Sequence, residues 1–151
     1  MPPKEKQVID LNTLDPEQLS MLKEQFQEEL NGLMRSTVAL QKAAGEFGAS
    51  GQAVEALHDQ KEGQPIMLPL TSSVYVNGTL ASKESVLIDI GTGYYIEKSV
   101  DEGVDYCRRK VQFLKEQIDK FGLLMRDKQG ILTEIEGALG RTMQHAQSSS
   151  P

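Results

Sequence analysis

Leu68-Pro69-Leu70-Thr71-Ser72-Ser73-Val74-Tyr75-Val76-Asn77-Gly78, continued by Val86-Leu87-Ile88-Asp89-Ile90-Gly91-Thr92-Gly93-Tyr94-Tyr95-Ile96-Glu97-Lys98, is the stretch whose reading decides the fold. Short β-branched and apolar runs cut by Gly, Ser, Asn and Pro are a strand-and-turn signature. Four strands are predicted, at 66–70, 74–80, 86–90 and 94–98. Gly91-Thr92-Gly93 is read as a hairpin turn, and Thr71-Ser72-Ser73 as a second. The glycine pair has neither the helix start nor the Lys-Ser or Lys-Thr pair of a phosphate-binding loop. Asn77-Gly78 is read as a bulge, because Tyr75-Val76 and Thr79-Leu80 look like one interrupted strand. Pro69 cannot donate to a ladder, which puts its strand at an edge or a bulge.

Outward from this insert, both flanks have helical spacing. Leu14-Asp15-Pro16-Glu17-Gln18-Leu19 is a helix start: Asp15 as N-cap, Pro16 at the first helical position, Gln18 closing a capping box and Leu14 stapling onto Leu19. Beyond it Leu19, Phe26, Leu33, Leu40, Phe47 and Val54 recur every seven residues, beside a weaker line of Leu22, Leu30, Thr37, Ala44 and Gly51. The helix is expected to end near Glu62-Gly63. A second helix opens on the capping box Ser99-Val100-Asp101-Glu102. Its seams read Val104, Val111, Ile118, Met125, Leu132, Leu139, Ala146 and Cys107, Leu114, Phe121, Lys128, Ile135, Thr142, a sustained coiled-coil pattern.

Two helices of roughly 45 residues, about 70 Å each, are expected to fold back on each other as an antiparallel coiled coil. The register that stacks the best positions sets Val54 on Cys107, Phe47 on Leu114, Leu40 on Phe121, Leu33 on Lys128, Phe26 on Ile135 and Leu19 on Thr142. The fold class is therefore mainly α with a small β part: a long two-helix coiled coil with two β-hairpins inserted between its helices. The chain is expected to be one domain, 1–151, with a flexible N-terminus at 1–13, helices at 15–62 and 99–147, the insert at 65–98 and a disordered tail at 148–151.

Two isolated hairpins are marginal in water, and their unpaired edges invite another chain. Val86, Ile88 and Ile90 point one way and Leu87 the other, so both faces need cover. The insert is read as an oligomerisation surface of Leu68, Leu70, Val74, Val76, Val86, Leu87, Ile88, Ile90, Tyr94 and Ile96.

Composition narrows the function. A net charge of −6 and a pI near 5.0 argue against nucleic-acid binding, whose footprint is a basic stripe. No run approaches the roughly 20 apolar residues of a membrane span, and Met1 to Lys6 is not followed by a signal-peptide core. The single cysteine, Cys107, with His58 and His145, makes neither a disulfide nor a zinc site. Cys107 is read as a buried seam residue and the histidines as solvated. Glu28-Glu29 and Arg108-Arg109-Lys110 are read as solvated charge runs, the basic one near enough to the insert to meet a neighbouring subunit. A two-helix stalk has no deep pocket, so no enzyme, no catalytic residue, no cofactor and no metal are expected.

At the insert the chain resembles the α-type prefoldin subunits, and within them the eukaryotic subunit-five branch. The likeness covers roughly residues 12 to 147; the insert carries it in letters, the helices in pattern. It implies a heterohexamer with one other α-type and four β-type subunits, whose inserts close a shared β-barrel platform. It implies an ATP-independent holdase that captures unfolded actin and tubulin and hands them to the cytosolic chaperonin. Clients would be held at the coiled-coil ends, here Leu19, Met21, Leu22, Phe26, Ile135, Leu139 and Met143, and methionine suits such varied partners. A cytoplasmic location, with room for a nuclear pool, follows. A coiled-coil adaptor or tether that oligomerises through its insert is the alternative reading.

Overall fold

The computed structural model describes residues 10–148. The expected flexible N-terminus up to residue 9 and the tail beyond Ser148 lie outside the described residues. A 3₁₀ turn at Leu11–Thr13 precedes helix α1, Pro16–Glu55, which tightens into a 3₁₀ turn at Ala56–Asp59. Strands β1 (Pro65–Pro69), β2 (Tyr75–Thr79), β3 (Ser85–Gly91) and β4 (Tyr94–Ser99) follow, and helix α2 runs Val100–Ser148. The chain forms two compact units: Leu40–Gln117, and a second built from the segments before and after it.

In the latter unit, the start of α1 runs antiparallel to the end of α2. The Asp15 carboxylate accepts from the Gln18 N–H at 2.8 Å, and the Gln18 side chain accepts from the Asp15 N–H at 3.2 Å. This reciprocal cap satisfies donors that a helix start leaves orphaned. Leu19 and Ile135 are fully buried and Ala138 is 2 % exposed. Leu11, Leu14, Leu22, Phe26 and Leu139 pack against this cluster, so the staple from Leu14 is present. Residues 11–13, expected to be flexible, are ordered here: the Asp10 side chain caps their turn by accepting from the Asn12 N–H at 3.0 Å.

In the unit Leu40–Gln117, Ser99 opens α2 with the second capping box. Glu102 accepts from the Ser99 N–H at 3.1 Å, and the Glu102 N–H donates to the Ser99 hydroxyl at 3.3 Å. The α part of α1 stops seven residues before the expected end. His58 Nε2 meets Asp101 Oδ1 at 3.0 Å and Lys83 Nζ donates to the His58 carbonyl at 3.1 Å, so the tightened last turn is held from outside. Gly63, with φ of 78°, sits in the following loop and its N–H donates to the Leu80 carbonyl at 2.7 Å.

The insert is two separate two-stranded antiparallel sheets, β1–β2 and β3–β4. The bulge lies elsewhere than expected. Asn77 and Gly78 pair straight across from Met67 and Ile66. The register shift is in β3, between Asp89 and Gly91, which leaves Ile90 as the extra residue. Asp89 Oδ1 accepts from the Gly91 N–H at 2.8 Å, and Gly91, Thr92 and Gly93 all have positive φ. A side-chain turn and left-handed backbone in succession place the bulge beside the hairpin loop.

The helices also meet about one turn out of the expected register. A Cβ on Gly103 would lie 3.3 Å from Val54 Cγ1, 2.9 Å from Val86 Cγ2 and 3.9 Å from Ile88 Cδ1. Bare glycine lets α1 and β3 press on α2 at one point. Cys107 accordingly faces Gly51, with a built Cβ at 3.1 Å, where the sequence pattern had set Val54. Leu19 packs with Ile135 and Ala138 where Thr142 had been expected. The Thr142 hydroxyl bonds back to the Ala138 carbonyl at 3.0 Å instead.

Candidate interaction surfaces

The hairpins present apolar groups on both faces. In β1–β2, Leu68 lies opposite Val76 and Ile66 opposite Gly78 on one side; Met67 and Tyr75 lie on the other, by the alternation of strand side chains. Leu70 and Val74 close the loop end, the Leu70 N–H donating to the Val74 carbonyl at 2.8 Å. In β3–β4, Ile88 opposes Ile96 and Val86 opposes Lys98 on one face, while Leu87 opposes Glu97 on the other. Of the ten residues expected at the assembly surface, Leu68, Leu70, Val74, Val76, Leu87, Ile90 and Tyr94 are exposed, Leu87 the most at 71 %. Val86, Ile88 and Ile96 are half-buried, Val86 and Ile88 against Gly103. Met67, Tyr75 and Tyr95 are comparably exposed; they lie between the apolar positions of each strand, where period-two alternation gives a second face.

The helix ends carry the other set. Leu19 and Ile135 are closed in the core; Leu22, Phe26 and Leu139 are half-buried around them; Met21 and Met143 stand at 68 % and 58 % exposure. Lys23 pairs with Glu136 at 3.0 Å across the two helices. Further along this unit, Leu30, Met34, Thr37, Val38, Met125, Arg126 and Gln129 line an open groove of about 450 Å³. Val38 departs from both seams, so the heptad reading overlooked that groove.

The remaining polar candidates are held by structural partners. Arg108 and Arg109 both bind the Asp105 carboxylate, pulling it below the usual carboxylate range, and Lys110 lies 5.5 Å above the Tyr106 ring. The basic run is thus largely satisfied by its own helix. Burial pushes the Cys107 thiol up, which leaves it protonated and inert. No helix among the described residues is long and apolar enough to cross a membrane.

The family described as Prefoldin subunit matches residues 26–145. This chain belongs to the prefoldin subunit family. It is 34% identical over 155 residues to the probable prefoldin subunit 5 of Drosophila melanogaster, across 99% of this chain and 92% of that one. With prefoldin subunit 5 of Arabidopsis thaliana the identity is 38% over 125 residues, 83% of each chain. The fold alone is also that of filamentous PFD from Methanocaldococcus jannaschii, determined by cryo-EM: TM-score 0.53, 15% identity, 85% of this chain and 97% of that one. The subunit-five likeness read from the insert thus holds along the whole chain. Membership makes this a non-enzymatic chaperone component that assembles with other prefoldin subunits.

Lys128 is the charged break in the prefoldin seam. Its Nζ donates to Glu29 and lies 5.1 Å above the Phe26 ring. The bond from Lys128, then that from Gln25, hold the Glu29 carboxyl below its usual range. A carboxylate whose pKa is lowered by folding contributes stability above its unfolded value and loses it as pH falls through the folded one. The Lys128–Glu29 pair therefore weakens on acidification below the ordinary Glu range, and only slightly, because the Glu29 side chain is 41% exposed. Lys128→Leu is expected to raise Tm by about 2–4 °C, since leucine completes the apolar seam while the Glu29 carboxylate it leaves behind is 41% exposed and stays hydrated. Thermal melts at neutral and mildly acid pH check it; a drop in Tm at both would be the contrary result.

Proposed function

We propose that this chain is an α-type subunit of a heterohexameric, ATP-independent holdase, together with one other α-type and four β-type prefoldin subunits. Its hairpins contribute to a shared β-barrel platform. Its helix ends hold unfolded chains of the actin and tubulin type for delivery to the cytosolic chaperonin, in the cytoplasm. One observation carries this reading. Two two-stranded sheets with open edges and exposed apolar side chains are marginal by themselves in water, and β3 rests on α2 through one face only. They need the strands of other subunits. That leaves the partly open apolar helix ends, with exposed Met21 and Met143, as the surface available to clients.

The test separates holding from assembly. Met21, Leu22, Leu139 and Met143 are replaced together by Ser and the complex is reconstituted with its partner subunits. Assembly is expected to be unchanged by native mass spectrometry. Suppression of denatured-actin aggregation should weaken by about tenfold or more, because burying an aliphatic side chain is worth of order 1.5–3 kcal/mol. Undiminished suppression would sink the assignment of these ends.

A further inference from the structure

The segment Asp10–Leu14 lies on the apolar cluster that the holdase reading makes the client site. A 3₁₀ helix has three residues per turn, so Leu11 and Leu14 share one side of the segment. Both pack against the Leu19, Ile135 and Ala138 cluster. The segment is ordered by its own bonds: Asp10 Oδ1 accepts from the Asn12 backbone at 3.0 Å, and the Asp10 carbonyl accepts from the Thr13 N–H at 3.1 Å and hydroxyl at 2.7 Å. The cap of α1 is built downstream, from Asp15 and Gln18, so the helix keeps its start when the strap leaves. The polar tie to α2 is a long exposed bond at 3.4 Å from Arg141 to the Asn12 side-chain oxygen. A groove of about 630 Å³, lined by Asp10, Leu11 and Asn12 on one side and Thr133, Glu134, Gly137 and Arg141 on the other, runs alongside.

We propose that Asp10–Leu14 is a built-in surrogate for client. The strap occupies the apolar ground at the helix ends and is displaced by flexible segments with two aliphatic side chains three residues apart and a hydrogen-bond acceptor between them. This deepens, and rests on, the holdase reading. It names the recognised chemistry, a Leu-x-x-Leu turn with an Arg141-facing acceptor. It also makes client affinity a competition, because the site must be vacated before it is filled.

The experiment uses the assembled complex and a fluorescent synthetic peptide spanning Asp10 to Asp15. Anisotropy is measured on the wild type and on Leu11→Ser/Leu14→Ser, with a second variant lacking residues 1–14 as a check that Ser itself is not the cause. The peptide is expected to bind both strap-free complexes about tenfold or more tightly than the wild type, the scale set by one buried leucine. It should also compete with denatured actin there, and a peptide with both leucines replaced by Ser should not bind. Equal peptide affinity for all three complexes would overturn the strap. Should no complex hold denatured actin, the holdase reading fails, and the peptide affinities alone still decide whether the strap masks a Leu-x-x-Leu site.

Discussion

Leu87→Lys is expected to leave the β3–β4 hairpin folded and to abolish assembly. Leu87 is 71 % exposed in the isolated chain, so the hairpin loses little packing of its own. Its cross-strand neighbour is Glu97, and opposite charges directly across an antiparallel pair stabilise it by roughly 0.2–1 kcal/mol. On the proposed assembly the same lysine, with Glu97 beside it, must be stripped of water against another subunit's apolar strand, and that desolvation costs several kcal/mol even for a paired charge. Together with the lost aliphatic burial, that amounts to at least about two decades in association constant. Native mass spectrometry with the partner subunits should show the intact complex collapse to smaller species. Circular dichroism of the isolated chain should not change. A complex that assembles normally would show that Leu87 does not lie at the contact, since the opposite face is already covered where Val86 and Ile88 rest on Gly103.

That face division explains what was legible in the sequence. Local chemistry read true: both capping boxes form on the residues expected, Asp15 with Gln18 and Ser99 with Glu102, because a cap is decided within four residues. The strands fell within about one residue of their bounds, since Gly, Pro and Ser mark their ends whatever the fold around them. What depends on contacts distant in sequence did not read. Gly51 and Gly103 look like weak points of a helix, yet Gly103 is where α1 and β3 both press on α2. That contact, which heptad counting cannot see, shifts the register by a turn. Gly78 looks like half of a bulge but serves as a flat place for Leu68 Cδ1, 3.3 Å from a built Cβ. The end of α1 was placed at Gly63 because glycine and the following Pro65 punctuate a helix stop; in fact they punctuate the loop.

The candidate surfaces divide in the same way. Exposed apolar positions on the hairpins are an alternation pattern and can be named from it, the second face of Met67, Tyr75 and Tyr95 included. At the helix ends the pattern names apolar residues but cannot rank them by access. Leu19 and Ile135 close the core, while Met21 and Met143 are open. Leu11 and Leu14 join that core from a stretch that looks like a polar lead-in; the cue was Asp10 with Thr13, a turn-forming pair whose side chains bond the local backbone.

Ile135→Ala tests whether that small core is what keeps the helix ends shut. Ile135 and Leu19 have no exposed surface, and with Ala138 they form the cluster on which Leu22, Phe26, Leu139 and the strap all rest. Truncating a fully buried Ile costs 2–5 kcal/mol, lost transfer energy plus the cavity left behind. A cluster this near a helix end opens locally rather than by global unfolding, so the cost appears as faster exchange of the amides it protects. About 3 kcal/mol is roughly two decades. Amide exchange at 19–26 and 132–139 should therefore accelerate by about a hundredfold, while 85–99 in the hairpins keeps its protection and assembly is unchanged. Ile135→Val removes one methylene and should fall between, at about 1 kcal/mol. Met143→Ala, at an exposed site, should change exchange by less than about threefold. A graded response from Val to Ala with Met143→Ala silent identifies the Leu19–Ile135 contact as the latch; equal responses to Ile135→Ala and Met143→Ala would mean that the ends are held by something other than this core.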